Sequence, residues 1–303
     1  MKIFLGWLLV GIGVLAGSVA AAAAQSAPDA RSAGGGECSA NAYNCKDTPN
    51  PLPKVDEVWI ERMTWMDVRD AMNAGKKAII ISTGGIEPNG PWVWLGKHNF
   101  ILTKNCEAIA RRYGGALCAP IVPFVPEGSI DPQSGHMRTA GTISLEQGTY
   151  EALLTDIVRS FKVNGFQQIF LIGDSGGNQR GMAAVAAKLQ AQWKDGTVVA
   201  HIAEYYDDAP SEKHLRDKGV IKDGQAAEGL HDTVTSTLDL LGQNPAAVNW
   251  EKRVKVGKAT INGVSIADLD RARALSQEIM DLRVNRTVDL MKKAAAARSA
   301  SAK

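Results

Sequence analysis

From about residue 64 onward, apolar positions fall into two patterns: short continuous runs, and longer stretches with an apolar residue every three or four positions. Met66, Val68 and Met72 give Thr64–Asn73 a helical face. Lys76-Lys77 then leads into Ala78-Ile79-Ile80-Ile81, a β-branched run typical of a buried parallel strand, which Gly84-Gly85 ends. The spacing predicts further helices over 99–113, 145–163 and 178–193, and strands over 116–122, 168–172 and 198–205. Asn164-Gly165 stops the second of those helices, and Gly173–Gly177 is a tight turn. Strands alternating with helices mean βαβ units and right-handed crossovers. The expected fold is therefore α/β, a three-layer domain with a mostly parallel sheet flanked by helices. Such sheets place their working site beyond the carboxyl ends of the strands. The polar residues following Ile81, Val122, Ile172 and Tyr205 should then converge on one crevice.

The first fifty residues follow another pattern. Lys2 precedes an apolar run from Ile3 to Val19, and Ala20–Ala24 offers small-residue cleavage points. Residues 1–25 read as a signal peptide cut near Gln25, and the expected location is periplasmic or secreted. The other reading, an uncleaved anchor, has a stretch barely long enough to span a bilayer. No later stretch is apolar for long enough, so no membrane contact is expected after cleavage. Residues 26–53 are rich in Ala, Gly, Ser, Asn and Pro and form a flexible leader, leaving 54–303 as the folded domain. Cys38 and Cys45 are close enough to close a small loop in an oxidising compartment. Cys106 and Cys118 either form a second bridge or remain buried thiols. Neither pair has the C-x-x-C spacing of a metal or redox site. The net charge of +2 comes from interspersed signs, so nothing suggests a nucleic-acid surface and no nucleic-acid partner is expected. The Lys/Arg-containing tail 291–303 reads as a solvated, fraying helix end.

Five segments can carry chemistry, one of them Glu204-Tyr205-Tyr206-Asp207-Asp208, which puts acids at the end of the fourth strand. Glu87 and His98 follow the first strand eleven residues apart, and could bind one metal ion or share a proton. Glu127-Gly128-Ser129-Ile130-Asp131 runs into Ser134-Gly135-His136 in a long loop with few large apolar residues, of the kind that is functional when ordered. Past the third strand stands Gly173-Asp174-Ser175-Gly176-Gly177-Asn178. Its Gly-Asp-Ser-Gly-Gly string matches the nucleophile region of trypsin-like proteases, but here it joins a strand to a helix, and G-x-S-x-G spacing is absent. A Ser175 nucleophile served by His136, His98 or His231 is one reading. The other is an anion- or carbonyl-binding turn at a helix N-terminus. Last comes Gly229-Leu230-His231-Asp232-Thr233, where Asp232 is expected to cap the following helix.

Together these segments resemble the creatininase (creatinine amidohydrolase) family from about Met63 to Trp250. The counterparts are Gly85-Ile86-Glu87-Pro88-Asn89-Gly90-Pro91, Leu95-Gly96-Lys97-His98, His136 to Leu145, Gly173 to Asn178, and His231. The resemblance implies a hydrolase that opens cyclic amides or cleaves related C–N bonds in a small molecule, using divalent zinc or manganese and no nucleotide cofactor. It also implies a homo-oligomer. Glu87 matches the family's first carboxylate ligand. Asn89 stands where a ligand His is usual, His98 replaces the metal-bridging Asp, Ser175 replaces a ligand His, and Gly177 falls where some members place a Glu. One imidazole nitrogen binds one ion, so the pattern implies at most a single metal, with Glu87, His98, Asp174 and His231 as its ligands. Glu87, His98, His136 and Asp174 are the catalytic candidates, and Asn89, Ser175, Gly176 and Asn178 the substrate-binding ones. The alternative is a metal-free ligand-binding pocket built from the same groups.

Overall fold

β1 (Ala78–Thr83) is buried at all six positions because it has a parallel neighbour on each side and helices over both faces. That placement is why its sequence is a continuous apolar run and not an alternation. The computed structural model describes residues 50–229 and 231–301. β2 (Ala116–Cys118) and β3 (Gln168–Gly173) flank β1, and β4 (Val198–His201) lies beyond β3, giving a parallel sheet of order β2-β1-β3-β4. Ala78 stands opposite Ala116 on one side and Gln168 on the other, which brings the strand ends together at one edge.

The helices are α1 (Trp65–Asn73), α2 (Lys97–Tyr113), α3 (Gln147–Val163), α4 (Gln179–Gln192), α5 (Ala209–Asp217), α6 (Val234–Gln243), α7 (Trp250–Lys255) and α8 (Leu269–Ser301). α3 packs with α4 and α2 packs with α8, so the sheet is flanked by helix layers. Thr64 opens α1 with a capping box shared with Asp67, and Gly114, at φ 84°, closes α2 in the left-handed region. β5 (Thr260–Ile261) and β6 (Val264–Ser265) form a short antiparallel hairpin. One apolar cluster surrounds the sheet, and a second gathers α6, the hairpin and the first half of α8. α8 serves both: Ala272, Leu275 and Ile279 enter the second cluster, and Val284, Val288 and Met291 the first.

The sequence pattern and the structure part company at several points. The strand predicted over 116–122 stops at Cys118. Ala119 and Val122 still donate to the Ile80 and Ser82 carbonyls, but Pro120 and Pro123 have no N–H and break the ladder. The strand predicted to Tyr205 ends at His201, and Ala203–Tyr206 is a 3-10 turn. Met291, expected in a solvated tail, is fully buried on α8. Thr233, not Asp232, caps α6, accepting from the Ser236 amide at 3.0 Å. Asp232 is buried against Arg253 at 2.9 Å. Cys106 and Cys118 are bridged, tying α2 to β2 across a Cα–Cα distance of 6.2 Å. The segment expected to be a signal peptide, Cys38 and Cys45 lie outside the described residues. Among those described, no helix is long and apolar enough to cross a membrane.

Candidate active site

Three of the polar segments leave the carboxyl edge of the sheet directly, following β1, β2 and β3. After β1 the chain loops through Glu87 and returns to open α2 with Lys97 and His98, all three buried. Asn89 holds this loop shut, its side-chain amide donating to the Glu87 carbonyl at 2.8 Å and the Trp94 carbonyl at 3.0 Å. The loop between β2 and α3 brings in Glu127, and His136 on a 3-10 turn, Gly135–Arg138. After β3 come Asp174, Ser175 and Gly176, while Asn178 turns inward and donates to the Thr83 and Gly84 carbonyls at 2.9 and 3.2 Å. His231 arrives from the segment before α6 with φ 66°.

His98 sits between two carboxylates, with Nε2 2.7 Å from Glu87 Oε1 and Nδ1 2.8 Å from Asp174 Oδ2. Burial alone would lower its pKa, but the hydrogen bonds to Asp174 and Glu87 raise it to about 9. His98 is therefore an imidazolium at neutral pH and donates from both nitrogens. Burial opposes ionisation of Glu87, yet its hydrogen bond to His98 and the charges of His98 and Lys97 outweigh that and hold its carboxyl low. The Lys97 ammonium lies 3.6 Å from Glu87 Oε1. Glu127 moves the other way, pushed up by burial and by the ionised Glu87 beside it. Its Oε1 accepts from Ser175 Oγ at 3.2 Å, and its Oε2 lies 3.1 Å from His136 Nδ1.

His136 Nδ1 is also 3.1 Å from Glu87 Oε2. A carboxylate oxygen only accepts, so Nδ1 faces Glu87 as the donor of this contact. Its Nε2 lies 2.9 Å from His231 Nε2. Glu87, His136 and His231 thus offer three ligand atoms within 4.8 Å of one another, the one such group among the described residues. Two imidazoles and a carboxylate suit zinc or manganese, and Glu127, whose Oε2 lies 3.1 Å from His136 Nδ1, is the carboxylate placed to support a ligand His. These residues fit one divalent ion. His98 and Asp174 are turned toward each other, and His98 has no nitrogen free to bind a metal in this arrangement.

All of this opens into a crevice of about 360 Å³. Of the sequence-predicted residues, Glu87, His98, His136, Asp174, Ser175, Gly176 and His231 line it. Asn89 and Asn178 do not; they are buried and bond to backbone carbonyls. Ser175 bonds Glu127 and no imidazole, so no Ser–His pair is assembled. Lys97, Glu127 and Tyr206 belong to the site or its floor without having been singled out. The acids of the 127–131 loop pointed to that segment, and nothing in the sequence distinguished Glu127 from Asp131.

The protein is thus an α/β sheet protein with a Glu–His–His crevice at the carboxyl edge of its sheet. The family model Creatininase, described as creatinine amidohydrolase, matches residues 61–270, and the chain belongs to that family. A tryptophan-to-alanine mutant of creatininase is similar at 20% identity and a TM-score of 0.60, over 79% of this chain and 99% of that one. A glutamate-to-glutamine mutant of the Zn–Zn type is similar at 19% and 0.59, over 79% and 98%. A creatinine amidohydrolase (creatininase) gives 21% and 0.55, over 79% and 97%. At these identities the likeness is one of fold. No curated protein matches the chain. Family and fold together support an amidohydrolase-like hydrolase.

Proposed function

We propose that this protein is an exported hydrolase that cleaves a C–N bond, amide or cyclic amide, in a small polar metabolite with the help of one divalent metal. The observation that carries the reading is the convergence of Glu87, His136 and His231 in the crevice. Solved relatives include a manganese form and one complexed with creatine. When bound, such an ion lowers the pKa of a water to about 7 or polarises a substrate carbonyl. The chain's own groups prepare the rest. His98 fixes the Glu87 carboxylate through Oε1, which leaves Oε2, 3.1 Å from His136 Nδ1, as the oxygen that would face the ion. Asp174 holds the imidazolium of His98, so the clamp keeps its geometry. Ser175 and Gly176 form the turn against which a small substrate rests. Export is supported by the N-terminal apolar run and by the Cys106–Cys118 bridge, since disulfides persist in oxidising compartments.

A second reading, a metal-free binding protein, is favoured by a specific contact pattern. Both Glu87 oxygens already have partners in His98, Lys97 and His136. Metal content decides between the two. Protein purified without chelators is expected to carry close to one zinc or manganese per chain, and Glu87→Gln should lose both the metal and turnover while remaining folded. Unchanged activity in that variant would refute the assignment.

A further inference from the structure

We propose that Lys97 is a positioning residue whose ammonium sets the place of His231, and through it the third corner of the proposed metal site. Lys97 is 3% exposed, and a charge so buried must find acceptors. Its Nζ donates to the His231 carbonyl at 2.7 Å and lies 3.6 Å from Glu87 Oε1. The first turn of α2 therefore touches two of the three candidate ligands at once.

His231 needs such a tether. Its φ of 66° lies in the left-handed region that non-glycine residues seldom occupy, and they stay there only when neighbours enforce it. Here its carbonyl is held by Lys97 and its N–H by the Glu228 carboxylate. Asp232, next in the chain, is anchored separately by Arg253 and Thr237. The backbone beyond His231 is thus secured on its own, and the Lys97 bond holds the peptide plane that carries the His231 carbonyl. With the backbone held this way, His231 Nε2 stands 2.9 Å from His136 Nε2.

Two physical effects of Lys97 on a bound cation oppose each other, which makes the role testable. As a charge beside Glu87 it repels a divalent ion, so removing it should tighten binding. As a tether it keeps His231 in place, so removing it should weaken binding. The inference is that the tether wins.

The test uses the mature full-length protein, wild type and Lys97→Met, with His231→Ala and the double variant. In metal-free protein, modification of each histidine by diethyl pyrocarbonate is followed by peptide mass. His231 should react several-fold faster in Lys97→Met, while the buried His98 stays protected and certifies the fold. An unchanged or slower rate at His231 in folded protein overturns the proposal. Cobalt(II) affinity, read from its visible absorption, should fall about tenfold in Lys97→Met and not fall further when Lys97→Met is added to His231→Ala, the non-additivity of groups acting through one contact. Tighter binding, or additive losses, overturns it as well. If wild-type protein takes up no cobalt, the metal reading fails, and histidine modification still decides the role of Lys97. Should Lys97→Met not fold, Lys97→Gln, which removes the charge and shortens the reach, is measured the same way.

Discussion

A side chain at position 177 has nowhere to go. A Cβ on Gly177 would lie 1.8 Å from the Pro126 carbonyl oxygen and 3.8 Å from Glu127 Oε2. The backbone ahead of Glu127 has closed over the glycine and laid a carboxylate above it. Gly177→Ala must push the Pro126–Glu127 segment away, since a backbone carbonyl cannot swing aside as a flexible side chain can. The expected cost is about 1–3 kcal/mol, read as a lower urea midpoint, with Glu127 displaced from Ser175. An unchanged midpoint would mean that the loop yields freely and that the contact is incidental. The same neighbourhood shows what single residues reveal in a sequence. Glu87, His98, His136 and Asp174 were legible because each follows a recognisable strand, and strand ends converge. Lys97 and Glu127 were not, because their roles arise from partners far away in the chain: the His231 carbonyl for one, Glu87 and Ser175 for the other.

At the scale of elements, the β-branched runs disclosed β1 and β3, and the glycines disclosed the turns. α8 stayed hidden for a physical reason. Most of its charged residues line a solvated face, but Arg283 turns inward, donating to Asp239 on α6 at 2.8 Å and to Asp208 beside the crevice. One guanidinium shared by two carboxylates leaves the cluster short of positive charge. Burial, resisted by Arg283 and reinforced by Asp208, pushes Asp239 up to about 7. The sign of the linkage follows. A carboxyl raised above its unfolded value of about 3.9 contributes stability that is fully present below that pH and is lost as pH rises through about 7. The α6–α8 contact should accordingly weaken between about pH 4 and pH 7. Asp239→Asn, which cannot ionise, should flatten that part of the curve of melting temperature against pH. The same slope in variant and wild type would show that Asp239 stays ionised throughout, fully neutralised by Arg283.

For the molecule as a whole, the Cys106–Cys118 bridge links stability to the compartment in which the chain folds. It fastens α2, whose first turn carries Lys97 and His98, to β2 at the sheet edge. The sequence left these two thiols undecided, since spacing of 12 residues is compatible with a bridge but does not require one. What settles the pairing is the βαβ path, which returns the strand alongside the helix that precedes it. Closing a loop of this size constrains the unfolded chain by about 3 kcal/mol. Both sulfurs are fully buried, so a reductant must wait for the structure to open. Protein directed to an oxidising compartment is therefore expected to start near Gln25, to yield linked peptides around residues 106 and 118, and to resist brief exposure to reductant. Once reduced under denaturing conditions and refolded with its thiols blocked, it should unfold at markedly lower urea. Equal urea midpoints would show that packing of α2 on the sheet alone secures this edge, and an uncleaved N-terminus would remove the case for export.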